Sequence, residues 1–483
     1  MSARSLAQCG RVVQAFALDM PRPAALSSSD IIAAHVATMP CEDLPPEAEQ
    51  AARRALLDAL GVMLAATGLS PEAEPFRHLA HDRPPGTCRI FGDTLRSGPA
   101  EAAFANGALG HALDFGDCFD AGPAHPHAAL VPALIAIADS RNAITLGQLL
   151  SAIAIGGDLA CRLSLAAARP FEDGGWYPPP LVNLISASAA CARLLGLDPE
   201  RTVAAMGFAL LSGSFPAALK YDRRSPLRGT REAFAARAAV DAALLAQAGA
   251  AGFCDPLGGA GGFFEVYGGG IREEPLLSKL GERYLGADVS FKPWPACRGT
   301  HAYIEAALLL REHASVDDIR LVTAGIGPIQ QMLAAPLPPW PEALSATGAK
   351  FSIGYTVAVA FIEGTVDLHS FDEVHLQDER IRKLAEKVEA ARVAGWGRQQ
   401  AASGQLSLVL ADGSRHEVEI AEALGAPGRP LTDEVLAAKF VKCAEYATPA
   451  LSAARSSEVA QGILHGSTKM PVTALFDRLG GAQ

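Results

Sequence analysis

The sequence predicts a mainly α protein: a large all-helical domain with a smaller α+β domain set into it. Three observations carry this. From about residue 29 to 285, one apolar segment after another is rich in Ala, Ser and Gly, with capping residues ahead of it and Gly or Pro behind it. Small side chains let helices approach closely, and aromatics make up only 6% of the 483 residues. From about 286 to 425 the pattern changes, with DIRLVTAGI reading as a strand and LSLVLADGSRHEVEI as two strands about Asp412-Gly413, a hairpin turn. From 426 to 483, beginning at LTDEVLAAKF, the pattern is helical again, and this tail is expected to pack back on the first helical part. Residues 1–28, which hold arginines and a short apolar run ending in Asp19 and prolines, read as a loosely attached extension.

Taken in order, SSSDIIAAHVATMP and LPPEAEQAARRALLDALGVMLAATG read as two helices, with Asp58 in the second as a core tether to a neighbouring helix. Residues 71–97 suggest a short helix and an irregular link, and AEAAFANGALGHALDF resumes helix. LGQLLSAIAIGGDLACRLSLAAA is a further apolar helix, broken or closely approached at Gly156-Gly157. Two more follow in PPPLVNLISASAACARLLGLDPERTVAAMGFALLSGSF, the second entered through Asp198-Pro199. The run DPLGGAGGFFEVYGGG lacks both the strand-GxGxxG-helix context and a P-loop lysine, so it reads as a tight loop. Beyond it, FKPWPACRGTHAYIEAALLLRE is a proline-braced loop entering a helix, and AKFSIGYTVAVAFIEG is a short apolar helix.

The stretch from Phe104 to Leu134 is where chemistry concentrates. It packs His111, His125, His127, Asp114, Asp117 and Asp120 among small apolar residues, a costly place for charge. His111 and Asp114 are three apart and would share a helical face. His125-Pro126 would put His125 at a helix N-terminus, where the amide dipoles favour a neutral imidazole beside an anionic ligand; Pro132 implies a kink or a later start. No HExxH, paired CxxC or EF-hand pattern occurs, so an acid/base site is expected, without metal.

Arg223, Arg224, Arg228, Arg231 and Arg237 cluster ahead of an alanine-rich helix, a placement that opposes the helix dipole and calls for an anion nearby. The formal net charge of −11 provides no basic field for nucleic acid or an anionic membrane, yet leaves room for a small anion held by a few buried cations. Nine cysteines without paired spacing fit reduced thiols in the cytoplasm, and no run of about 18 uncharged apolar residues suggests a membrane span. Together, His125 and Asp114, the arginines near 228, Lys292 in FKPWPAC and Tyr355 in FSIGY would make a site for a small polycarboxylate where the two domains meet. Proton abstraction α to a carboxylate needs cations to hold the charge that develops, together with a base and an acid.

Seven blocks in order, ALLDALGVMLA, FANGALGHALDFGD, HPHAALVPALIAIAD, ARLLGLDPE, LLAQAGAAGF, FKPWPACRGTHAYIEAAL and KFSIGYTVAVAFIEG, resemble the MmgE/PrpD family over about residues 30 to 480. The resemblance implies a helical domain built from 29–285 and 426–483, an α+β lid over 286–425, a homodimer, and catalysis without cofactor. It implies Asp114, His125, Lys292 and Tyr355 as catalytic residues, with Arg228, Tyr177, His111, Asp117, Cys297 and His301 lining the substrate; His301 could equally support its loop. Three positions depart from the family pattern: Gly116 stands where Asp is frequent, Tyr177 where a histidine precedes P-T, and Arg228 where a lysine precedes L-H. Arginine keeps a carboxylate clamp but gives up no proton. The expected activity is that of a lyase, foremost a dehydratase, on a small di- or tricarboxylate such as a 2-methylcitrate-like compound. An epimerase of an iminodisuccinate-like acid, a decarboxylase, or a carboxylate-binding member without turnover are the alternatives.

Overall fold

The structure, a computed structural model, describes residues 26–141, 143–222, 225–337 and 344–479. The extension read over residues 1–28 lies almost wholly outside them, as do Arg223 and Arg224.

The body is built from α1 (Ser28–Thr38), α2 (Pro46–Leu69), α3 (Pro99–Leu109), α4 (His127–Asp139), α5 (Leu146–Leu165), α6 (Pro178–Leu194), α7 (Pro199–Leu210) and α8 (Glu232–Gln247). Caps fix where these begin. The Ser27 side chain accepts from Asp30 N, Thr145 from Gln148 N and Asp198 from Arg201 N. In α4 every residue is buried, and the helix runs through Pro132 without ending. It can be buried on all sides because its neighbours are small: a Cβ at Gly157 of α5 would meet His127 Nε2 at 2.6 Å. Helix α5 is long and apolar enough to cross a membrane, yet 89% of its apolar window is buried among the other helices. The link over 71–97 holds a short antiparallel pair, β1 (Pro85–Arg89) and β2 (Arg96–Ser97).

A second cluster of buried apolar residues, from Trp294 to Ala423, forms the smaller unit. It comprises α9 (His301–Leu310), β3 (Ile319–Ile326), α10 (Ile353–Glu363), β4 (Val388–Arg392), β5 (Gly404–Leu410) and β6 (Arg415–Ile420). The sheet order is β4-β3-β5-β6, with β4 parallel to β3 and the other pairs antiparallel. Alternate residues of β5 (Gly404, Leu406, Leu408, Leu410) are buried, and Gly413 turns the β5–β6 hairpin with φ +86°. The chain then returns to the body as α11 (Asp433–Glu445) and α12 (Ala453–His465), whose Leu436, Phe440, Val459 and Ile463 belong to the same buried cluster as α2.

Body and lid are joined by two chain crossings that hold each other. Phe291 N donates to Gly425 O at 3.0 Å, and Gly425 has φ +88°, with its Cβ position 2.0 Å from Phe291 O, so only glycine fits there. Ser290 and Cys118 exchange backbone hydrogen bonds (2.9 and 2.7 Å), clipping the first crossing to the histidine-rich segment. Asp120 completes the joint, accepting from Ser290 Oγ at 2.7 Å and from Arg298 Nε at 3.0 Å.

Candidate active site

The helix that begins the histidine-rich segment, α3, ends at Leu109, and residues 110–116 form turns. The helical face expected for His111 and Asp114 is therefore not formed. Instead Asp114 adopts φ +51°, the left-handed region that aspartate tolerates better than most residues, and this turns its carboxylate back onto His111. His111 Nε2 lies 3.1 Å from Asp114 Oδ1. Lys292, fully buried on the first crossing to the lid, donates to the same Oδ1 at 2.7 Å and to Asp114 O at 2.8 Å. His125 lies two residues before His127, the first residue of α4, with Pro126 as the cap between them; its ring centroid is 4.4 Å from that of His111, and its Nδ1 lies 2.8 Å from Asp117 O. Asp117 Oδ2 meets His127 Nδ1 at 2.8 Å.

These contacts set protonation. Burial, with the positive charge of Arg231, holds His111 down to about 3, and burial together with His111, Lys292 and Arg231 holds His125 well below its usual range. Burial alone would raise Asp114, but Lys292, His111 and His125 outweigh it and keep its carboxyl well below the usual range. At neutral pH the cluster is therefore two neutral imidazoles beside a carboxylate-ammonium pair. A backbone carbonyl can only accept, so His125 Nδ1 carries the proton and Nε2 keeps its lone pair, ready to act as a base. By the same logic His111 donates from Nε2 to Asp114, and its Nδ1 is buried without a partner among the described residues. His111, Asp114 and His125 offer three donor atoms within 4.8 Å of one another, the geometry of a metal-ligand set, but Lys292 already neutralises the one carboxylate among them.

The cluster opens on a narrow cleft bounded by His111 and Asp114 from the body turn, Arg228 and Gly229 from the body, and Lys350 and Phe351 from the lid. Its free volume is about 10 Å³, space for about one water. Arg228 lies flat over the Phe351 ring, its Cζ 3.6 Å from the centroid, and donates to Lys220 O at 2.7 Å. Behind it Arg231, 1% exposed, pairs with Glu232 at 3.1 Å, whose carboxyl is raised by burial against the pull of Arg231. Asn183 ties this pair to the histidines, donating to Glu232 Oε2 at 3.0 Å and to His125 O at 2.9 Å.

Of the residues singled out from sequence, His111, Asp114, Asp117, His125, Lys292 and Arg228 are brought together. Tyr177 is buried under Arg231, whose guanidinium is 5.0 Å from its ring centroid, so it packs behind the cations. Cys297 stands at the lid side, its backbone N donating to Lys350 O at 3.0 Å and its thiol raised by burial and by Asp114. His301 serves its own loop: Nε2 lies 3.1 Å from Ala296 O and the ring meets Trp294 edge-on. Tyr355 corrects the expectation made for it. Its hydroxyl donates to Ser370 O at 2.8 Å inside the lid core, against Phe371, because its position on α10 faces the turn at 369–371, and it does not line the cleft. Gly116 is buried, but a Cβ there would meet nothing closer than Gly110 O at 3.9 Å. Asp58, read as a tether, accepts from Lys439 of α11 at 2.6 Å. That lysine also binds Phe115 O (2.7 Å) and Lys292 O (2.9 Å), and so holds both sides of the Asp114-Lys292 pair. Arg231, one of the arginines expected near an anion, lies behind the cleft against Glu232, whereas Lys439 and Lys350 went unrecognised as site residues. The one signal for Lys350 is a lysine set directly before an otherwise apolar FSIGYTVAVAF block.

The model of the MmgE/PrpD N-terminal domain matches residues 30–274, and that of the C-terminal domain matches 294–463. A cis-aconitate decarboxylase-like protein, oryM, of Aspergillus oryzae is 25% identical over 91% of this chain and 94% of its own length. The cis-aconitate decarboxylase of Homo sapiens is 29% identical over 61% of this chain and 62% of its own. The 2-methylcitrate dehydratase of Escherichia coli K12 is 29% identical over 76% of this chain and 79% of its own. With both domain models matched in sequence order, one on either side of the crossing that carries Lys292, the chain belongs to the MmgE/PrpD family.

Proposed function

We propose that this protein is a lyase that removes a proton α to a carboxylate of a small di- or tricarboxylic acid, with dehydration as its reaction. The observation that carries the reading is the neutral His125, its Nδ1 committed to Asp117 O, in one cluster with His111 and the Lys292-Asp114 pair, whose His111 and Asp114 line a cleft with the further cations Arg228 and Lys350. His125 takes the α proton. Lys292 and Arg228 hold the substrate carboxylates, and their charge stabilises the aci-carboxylate that forms as the C–H bond breaks. Loss of hydroxide then needs a proton, and with Tyr355 committed to the lid core the donor is the Lys292 ammonium, anchored by Asp114. The substrate leaves as an alkene plus water.

Decarboxylation is the second reading, supported by the names of the relatives that include oryM and the human enzyme. In that case the same cations stabilise the carbanion left by CO2, and the Lys292 ammonium gives it a proton that is then regained from solvent. Incubating 2-methylcitrate, citrate and cis-aconitate with the protein in deuterated water separates the readings. Dehydration yields alkene from the hydroxy acids, decarboxylation yields CO2 with deuterium in the product, and epimerisation yields labelled substrate or diastereomer without alkene. Absence of alkene, CO2 and label across the panel would refute catalysis of this kind.

A further inference from the structure

Charges around the cleft do not balance. Lys292 has Asp114 at 2.7 Å and Arg231 has Glu232 at 3.1 Å. Arg228 and Lys350 have no carboxylate partner among the described residues, although each is only 7% exposed. Arg228 is held by the Lys220 carbonyl and the Phe351 ring, and its Nε is buried without an acceptor. The Lys350 ammonium has only the Phe371 ring at 5.6 Å from its centroid. Asp114 lines the same cleft but is already paired with Lys292, and burying two further cations with no carboxylate at ion-pair distance is expensive unless something that carries negative charge occupies the space between them. One of the two comes from the body and the other from the lid, and both line the same cleft.

We propose that Arg228 and Lys350 form a second carboxylate clamp, separate from the Lys292-Asp114 pair, so that the substrate carries two carboxylates and the second is gripped across the seam between body and lid. The inference rests on the carboxylate-lyase reading and adds to it Lys350 as the residue that decides between acids with one and with two carboxylates: a monocarboxylate leaves one cation of the pair unmatched. Lys350 belongs to the short helix Ala346–Lys350, capped by Ser345, and its carbonyl is bound by Cys297 N at 3.0 Å next to the Lys292 crossing. Lys350 is thereby tied to the lid segment that follows the Lys292 crossing, while Arg228 belongs to the body. The charged groups that bear on Lys350 are Asp114 and Glu72 from the body and Lys292 from the crossing; burial brings its ammonium down to about 8.

The test uses the full chain and two four-carbon acids, succinate and butyrate, which differ by one carboxylate. Calorimetric titration of the wild type is expected to show succinate bound about tenfold or more tighter than butyrate. Lys350→Met should erase that preference while leaving butyrate affinity unchanged, and Lys350→Arg should keep it. Wild type that binds neither acid, nor citrate, refutes the carboxylate site itself. Wild type that binds both equally, or a Lys350→Met protein that keeps the full preference, refutes the clamp alone. Should Lys350→Met not fold, pH decides with the other two proteins. The wild-type preference for succinate should fall as pH rises past about 8, where the free protein loses the Lys350 proton, whereas that of Lys350→Arg stays flat. A wild-type preference that stays equally flat overturns the proposal.

Discussion

His125 and His111 are neutral because they are buried among cations, and that single condition gives the site its base and the protein an acid sensitivity. His125→Gln keeps the ring-sized volume and a donor for Asp117 O but has no basic nitrogen. Turnover of the acid that the wild type converts should fall by about a hundredfold or more, with ligand affinity changed little. A loss below about fivefold in kcat would move the base elsewhere. Stability carries the same signature. Both imidazoles have folded-state values below their unfolded values near 6.5, so the unfolded chain binds the extra protons and stability drops as pH falls below about 6.5. For His111 the drop continues toward about 3. The slope approaches about 1.4 kcal/mol per pH unit for each histidine. Thermal melts between pH 7 and 5 should show the decline, and His111→Gln should flatten it; equal slopes in both proteins would contradict the buried neutral state.

At the scale of elements, α11 braces the site from behind through one lysine. Lys439→Met removes the partner of Asp58 and the donor to the Phe115 and Lys292 carbonyls together. A loss of about 3 kcal/mol is expected, the lower end for a broken buried pair, because burial already raises Asp58 and lets it take up a proton. Asp58→Asn added to Lys439→Met should recover part of it, whereas simple additivity in denaturant titrations would mean the two do not act as a pair.

What could be read from the chain follows from which residues declare themselves locally. The helices show in their caps and small apolar residues, and the hairpin shows in Asp412-Gly413. The His/Asp cluster was visible because charge in an alanine-rich stretch needs a reason. The turn at Asp114 was not, because ANGALGHALDF keeps a helical pattern until one left-handed residue breaks it. Strand β4, VEAAR, is exposed at all but its first residue and follows the short helix Glu379–Ala385 closely, so its composition reads as helix continuing. Tyr355 sits in a block whose neighbours suit a site, but which face of α10 meets the sheet is a matter of tertiary packing. Lys350 was missed for the opposite reason: its weight lies in having no ion-pair partner among the described residues while buried at the cleft, which no single segment records.

For the molecule as a whole, the cleft is narrow. Its free volume of about 10 Å³ is smaller than a dicarboxylate, so ligand binding is expected to widen the seam between body and lid. The crossings at Phe291 and Gly425 are bonded to one another and to Asp120, and they are the natural pivot. Bound ligand should then slow amide hydrogen exchange in the lid segment 344–352 and in the body segment 227–231, while β5 and β6 on the far side of the lid stay unchanged. Equal exchange with and without ligand in both segments would argue against closure on the substrate.

The most direct measurement is a crystal structure of the protein with a bound tricarboxylate such as citrate. The ligand should lie between body and lid with one carboxylate on Lys292, another bridging Arg228 and Lys350, and a carbon that bears hydrogen about 3–3.5 Å from His125 Nε2. A ligand seated elsewhere, or one whose carbons face away from His125 while the cations hold it, would contradict the account.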